Sequence, residues 1–145
     1  MNDNFNLIAQ SRYYLKRFNE LLKRIKDFND LEQEYVLREM ALLIQESIEL
    51  CVKGLVELLV GIDYKHTHLI SDNVLLIRNH HNDINNYTEL EKILDEIDKS
   101  ASRISEFHVR QSIYISVFEA SIDELKKFSD IAVRLHEWID KSLKA

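Results

Sequence analysis

Apolar residues recur at steps of three and four along most of this chain, which is the pattern of amphipathic α-helices rather than of strands. The first such segment covers residues 4–28 and the second covers about 31–60, with a polar break at Asn29-Asp30. The apolar positions of the second segment alternate steps of four and three, which predicts a heptad-like seam that packs against neighbouring helices at a shallow angle. The seam consists of Leu37, Ala41, Ile44, Ile48, Cys51, Leu55, Leu58 and Ile62.

Two glycines lie in or just after this second segment, and they predict different things. Gly54 is inside the helical pattern, where glycine costs about 1 kcal/mol relative to alanine. A close approach by another helix would explain why a residue without a side chain stands there. Gly61 follows residue 60, where the helical segment ends, and is placed as its C-terminal cap.

Two shorter stretches and one start signal follow. A short helix is predicted near residues 69–77, and the segment 78–87, which contains four asparagines, is predicted to be a loop. Thr88 and Glu91 match the Thr-x-x-Glu capping box, which predicts the start of another long helix.

The last helix has a similar start signal, because Ser121 and Glu124 form a second capping-box pattern. It is predicted to cover about residues 122–143. Before it, residues 109–118 alternate β-branched side chains, which leaves an extended connection and a continued helix both open. The chain has 145 residues, no proline and two glycines, so few turns are expected. The prediction is one all-α domain over residues 1–145, an up-and-down antiparallel bundle of four long helices plus a short helix.

Charge and composition narrow the classes of partner that we expect this chain to bind. The net charge of −6 argues against broad, non-specific nucleic-acid binding, so DNA is not expected as a partner. No apolar run approaches the roughly 20 residues of a membrane span, and the first residues lack the features of a signal peptide. Cys51 lies on the apolar stripe and is predicted to be a small core residue, and a single cysteine fits a reducing compartment. The expected location is therefore cytoplasmic, without a membrane partner.

Several polar side chains invite a functional interpretation and also have a simpler one. Arg12, Lys16, Lys23 and Lys26 lie on one side of the first helix, which favours a solvated face, with a strip for a phosphate or an acidic partner as the alternative. Trp138 is expected in the core or at an interface rather than in a binding site.

Histidines cluster in the middle of the chain without making a convincing metal site. A zinc site needs about four ligands with supporting contacts, and no cysteine accompanies these histidines. Two of them are separated by one residue, which is not the spacing of neighbours on a helix face. We therefore expect no metal and no cofactor, with His68 ordering a turn. The four histidines are His66, His68, His80 and His81.

Three segments resemble the HEPN domain, a helical family found in prokaryotes beside small nucleotidyltransferases and in many RNases. The helix ending Leu-Val-Glu-Leu-Leu-Val-Gly-Ile-Asp-Tyr, with Lys-His-Thr-His-Leu at 65–69, is similar to the family's long helix, glycine turn and Thr-His-Asp-Leu element. Ser-Glu-Phe-His-Val-Arg at 105–110 falls where the family often has an aromatic residue and an Arg-Tyr pair. Residues 120–143 resemble its last amphipathic helix.

The resemblance spans most of residues 31–143, with two departures in its short motifs. Leu69 stands where the family has Asp after His, and Gln111 stands where it has Tyr after Arg. The resemblance implies a homodimer, which the long seam of the second helix would suit. It also implies a non-catalytic module that binds a nucleotide or an RNA end, or that covers a small nucleotidyltransferase partner. The implied ligand groove is lined by His68, Arg103, His108 and Arg110.

Nuclease members of the family carry an Arg followed four to six residues later by a His, which suggests a second function. Arg103 and His108 match this spacing, although Ile104 follows the Arg and Arg110 stands where a Tyr is frequent. In a metal-independent endoribonuclease toxin, His108 would be the base and Arg103 would stabilise the phosphate.

Helix geometry sets a condition on that second function. Five positions at about 100° each place two side chains roughly 140° apart on one helix. Arg103 and His108 would converge only if the helix were interrupted between them, or if a dimer supplied one from each subunit. The simpler interpretation pairs Arg103 with Asp98 or Glu106 and places His108 at a helix end. A third function, a structural adaptor whose polar residues all lie on the surface, stays open.

Overall fold

The structure is a computed structural model that describes residues 6–61, 64–65, 69–112 and 120–143, with side chains described at all of these except 108–112. Within these ranges the chain is all-α and contains no strand, as the sequence predicts. Four long helices and one short helix form the bundle. They are α1 (Asn6–Arg24), α2 (Asp30–Leu55), α3 (Ile70–Asn79), α4 (Tyr87–Ser112) and α5 (Ile122–Ser142).

Helix α2 lies at the centre of the bundle and contacts each of the other four helices. Its predicted seam faces inward, and the five seam residues in its middle are fully or almost fully buried. This arrangement corrects one expectation. Because the seam packs inside its own chain, it cannot also supply the surface of a homodimer. The five are Ala41, Ile44, Ile48, Cys51 and Leu55.

Helix α2 begins and ends at recognisable signals. Asn29 caps its start, because its side chain accepts from the Glu32 amide and the Glu32 carboxylate accepts from the Asn29 amide, a capping box that the sequence analysis missed. At the other end the helix widens into a π-turn over Val56–Val60. Gly61 then adopts a left-handed conformation with φ of 75°, and this confirms the predicted C-terminal cap.

The predicted capping box at the start of α4 is wrong. The helix begins at Tyr87, so Thr88 is already inside it, and Asn86 before it has a φ of 59°. The Glu91 carboxylate accepts hydrogen bonds from Arg78 and from the Tyr87 hydroxyl instead of a backbone amide. A strong cation on the neighbouring helix α3 therefore competes successfully for the side chain that the local pattern assigned to a cap.

The predicted start of α5 is confirmed in part. The Ser121 hydroxyl accepts from the amide of Glu124, as a cap requires, but the Glu124 carboxylate points to another helix.

Trp138 is buried and donates from its indole nitrogen to the Asn86 carbonyl, so the expected core role holds. The ambiguous segment 109–118 is helical up to Ser112, and residues 113–119 lie outside the described ranges. In the part of the chain that the structure covers, no helix is long and apolar enough to cross a bilayer.

Candidate functional site

Arg103, the cation of the predicted groove, is tied to two carboxylates. Its Nε and Nη2 atoms each donate to Glu124 at 2.8 Å, which is a bidentate pair between α4 and α5. Its Nη1 atom donates to Glu106 at 3.2 Å, one of the two partners that the sequence offered, whereas the other, Asp98, pairs with Arg78. The guanidinium also lies over the ring of Phe107, 5.1 Å from its centroid. The hydrogen bond from Arg103 holds the pKa of Glu124 below its usual value, so this pair stays ionised near neutral pH.

The other three residues of that groove cannot be placed beside Arg103. His68 lies outside the described residues, and so do the side chains of His108 and Arg110. The backbone of α4 is continuous from Arg103 through His108. Therefore the interruption that would let the two converge within one chain does not occur, and a dimer is the remaining route to an Arg–His pair.

A second polar site lies between the first and last helices. It is a cleft of about 470 Å³ with charged walls and an apolar floor residue, Leu15. Three of the four cations that the sequence placed on one side of α1 line this cleft, and Lys26 does not. The lining residues are Arg12, Leu15, Lys16, Asn19, Glu20, Lys23, His136 and Asp140.

The floor of the α1–α5 cleft continues into a buried hydrogen-bond network centred on His136. Arg12 donates from Nε to His136 Nδ1 at 3.1 Å, and His136 Nε2 lies 2.8 Å from Ser11 Oγ. Arginine can only donate, so Nδ1 is the acceptor and the ring proton is on Nε2. His136 therefore donates to Ser11, whose hydroxyl in turn donates to the Ser47 carbonyl at 2.5 Å.

This serine–histidine pair has the wrong polarity for a nucleophile. A nucleophilic serine needs a histidine nitrogen that accepts its proton and a carboxylate on the other ring nitrogen. Here the histidine donates to Ser11, and a guanidinium occupies the other side. Ser11 is also fully buried. The network is therefore structural and gives no support to acyl-transfer chemistry.

Burial shifts the pKa values of two groups in this network, so that neither group changes its charge near neutral pH. Desolvation, helped by the charge of Arg12, lowers the pKa of His136 from 6.5 to about 4. The ring is therefore neutral at physiological pH. Burial raises the pKa of Cys51 to about 12, against a smaller opposite effect from its hydrogen bond with Ser11. The thiol is thus an inert core group, as the sequence predicts.

Some charged side chains of the cleft form ion pairs with described residues, and others do not. Arg12 forms an ion pair with Asp140 of α5, and Glu20 pairs with Arg17 at 2.9 Å. Lys16 and Lys23 make no ion pair with any residue that the structure describes, and both are exposed. The cleft therefore presents two lysine ammonium groups, beside an arginine that is already paired with Asp140 and bonded to His136.

Sequence reasoning singled out the cations of this cleft but missed its buried network. Ser11 occurs at the core-facing step between Ile8 and Leu15, and His136 occurs four residues after Ala132 on the apolar stripe of α5. A polar residue on an apolar stripe needs a buried partner, and this signal was available. The sequence did not indicate which residue that partner is, because Arg12 and His136 are 124 residues apart.

The histidines considered for a metal are otherwise engaged where they are described. His80 Nδ1 bonds to the Leu76 carbonyl at 3.0 Å, and His81 Nδ1 bonds to the Arg78 carbonyl at 2.9 Å. His66 and His68 lie outside the described residues. The part of the chain with described side chains contains no group of three or more His, Cys, Asp or Glu residues that could hold a metal ion.

Comparison with protein-family models, with curated proteins and with solved structures yields no match to this chain. The residues themselves therefore carry the functional argument.

Proposed function

We propose that this chain is a non-catalytic binding module of the HEPN type, and that it binds a nucleotide or an RNA end in the α1–α5 cleft. The observation that carries the proposal is the cleft wall, where Lys16 and Lys23 face solvent without a carboxylate partner among the described residues. A lysine ammonium group binds a phosphate as a point charge. The ligand site is thereby proposed at α1 rather than at Arg103, whose guanidinium already holds two carboxylates.

A non-catalytic role is supported by the two sites together. The cation of the Arg-x4-His spacing is bound to Glu124 and Glu106, and the α1–α5 cleft offers a neutral histidine that donates rather than accepts. A homodimer and a small nucleotidyltransferase partner remain part of the proposal. The α2 seam is not the surface for either of them, because it is buried.

The binding test uses a charge-matched pair of double variants. We expect UMP or a short labelled RNA to raise the melting temperature of the wild type by several degrees at saturating concentration. Lys16→Ala/Lys23→Ala should remove the shift, because it removes the unpaired cations of the cleft. Lys92→Ala/Lys126→Ala is the control, since it also deletes two exposed lysines but neither lines the cleft. No shift in the wild type, or equal loss in both variants, would refute the cleft as a ligand site.

A separate experiment addresses the ribonuclease function. We expect labelled RNA to stay intact in EDTA with the wild type and with Arg103→Ala/His108→Ala. Cleavage by the wild type alone would contradict the non-catalytic proposal and make this pair an active site, assembled across a dimer.

A further inference from the structure

Three cations and one asparagine of α1 form a regular stripe along the α1–α5 cleft. Arg12, Lys16, Asn19 and Lys23 follow one another at steps of four, three and four, so they lie on one side of α1. At about 1.5 Å per residue, the eleven-residue separation of the ends makes the stripe about 16 Å long. Such a stripe is longer than a single phosphate group.

The stripe divides into two polar groups. Arg12 and Lys16 are neighbours at one end, and Asn19 and Lys23 are neighbours at the other. The two lysines are about 10 Å apart along the helix axis. A lone phosphate contacts one group at a time, whereas a ligand with phosphates along its length contacts both. A single strand that is stacked as in a duplex, with a rise of about 3.4 Å per nucleotide, covers the stripe with roughly five nucleotides.

We infer that the α1–α5 cleft binds the phosphate backbone of a short single-stranded RNA, with one phosphate at Arg12 and Lys16 and a later one at Lys23. This inference rests on the proposed function and names its ligand class. Counterion release from such a strand makes binding salt-dependent, and the logarithm of the binding constant should fall against the logarithm of salt concentration with a slope of about −1.4 for two phosphate contacts.

The carboxylates of the cleft distinguish RNA from the other polyanion of similar spacing, an acidic peptide. Glu20 and Asp140 line the same cleft. They accept hydrogen bonds from the 2′-hydroxyl and base amino groups of RNA, which acidic side chains lack. They repel the charged groups of either ligand, but an acidic side chain offers no donor that offsets this repulsion. The net charge of −6 also opposes a long polyanion, so the strand is short.

The test measures how affinity depends on strand length. Binding of UMP, of oligouridylate of about five nucleotides and of a glutamate peptide of equal length is measured at two salt concentrations. We expect the oligonucleotide to bind at least about tenfold more tightly than UMP, and the peptide to bind more weakly than either. Lys23→Ala should abolish the advantage of the oligonucleotide over UMP and reduce the salt slope by about 0.7. Lys92→Ala is the control that should leave both unchanged.

Two results separate this inference from the function on which it rests. If UMP binds as tightly as the oligonucleotide, or if Lys23→Ala leaves their ratio unchanged, the two-group backbone site is wrong while nucleotide binding stands. If neither UMP nor the oligonucleotide binds, both proposals fail. Equal binding of the glutamate peptide would assign the stripe to acidic proteins instead.

Discussion

Replacing Gly54 by leucine is expected to lower the free energy of unfolding by about 3 kcal/mol or more. A Cβ atom at this position would lie 2.7 Å from Ile8 Cδ1, 3.1 Å from Ile8 Cγ1 and 3.3 Å from Leu7 Cβ. Helix α1 therefore approaches α2 so closely here that Ile8 must shift to admit even a methyl group at residue 54. Leucine would force the two helices apart and expose the core beneath them, and urea unfolding followed by circular dichroism measures the loss.

A smaller pair of substitutions tests the same contact without gross disruption. Gly54→Ala gains about 1 kcal/mol of helix propensity but brings a methyl group against Ile8. Ile8→Val removes Cδ1, the atom that would be closest to that methyl. We expect Gly54→Ala to be less destabilising in the Ile8→Val background than alone, a positive coupling in a double-mutant cycle. Additive effects, or a harmless Gly54→Leu, would mean that α1 does not approach α2 at this point.

The second large effect is a loss of stability in mild acid caused by His136. Its pKa is 6.5 in the unfolded chain and about 4 in the fold, because burial and Arg12 disfavour the charged ring. Between these values the unfolded state binds the proton and the folded state does not, so stability falls as the pH falls. The expected loss is about 2 kcal/mol by pH 5 and roughly 3 kcal/mol by pH 4, measured by urea unfolding at several pH values.

His136→Gln is the variant that isolates this effect. A glutamine amide offers an acceptor to Arg12 and a donor to Ser11, as the neutral ring does, but it does not titrate. We expect near wild-type stability at neutral pH and little change down to about pH 5. The control is His81→Gln on the surface, which should lose stability in mild acid as the wild type does.

The pH range matters because carboxylates contribute below it. Arg134 lowers the pKa of Glu96, and Arg103 lowers that of Glu124. Their stabilisation is full above the ordinary carboxyl pKa and is lost as the pH falls further. Among the residues whose side chains the structure describes, the loss of stability above about pH 5 therefore belongs to His136. If the wild type and His136→Gln lose stability equally in that range, His136 is not held neutral by the fold.

Local signals in the sequence were sufficient for most of the architecture. The two glycines, Ser121 and the heptad seam each act through neighbours in the chain or through burial of one face, so the pattern alone identifies them. The false cap at Thr88 shows where this fails. The Thr-x-x-Glu pattern contains no information about Arg78, which approaches Glu91 only after α3 packs on α4.

The candidate site was less predictable for the same physical reason. The cations of α1 were visible as a stripe, but their cleft exists only because α5 returns from the far end of the chain to lie beside α1. Likewise, the sequence matched Arg103 with Asp98 or Glu106, within five residues, whereas its bidentate partner Glu124 comes from the next helix. Pairs formed by tertiary packing leave no spacing rule in the sequence.

The reciprocal bonds between two buried serines fix how α1 can slide along α2. Ser11 Oγ donates to the Ser47 carbonyl, and Ser47 Oγ donates to the Ser11 carbonyl at 2.9 Å. A shift of one helical turn would keep apolar side chains in contact with apolar side chains, since both stripes repeat with nearly that period. It would also separate both hydroxyls from their acceptors, at about 1–3 kcal/mol for each polar group left unpaired. Two small hydroxyl groups thereby hold the register that the close approach of Ile8 to Gly54 also requires.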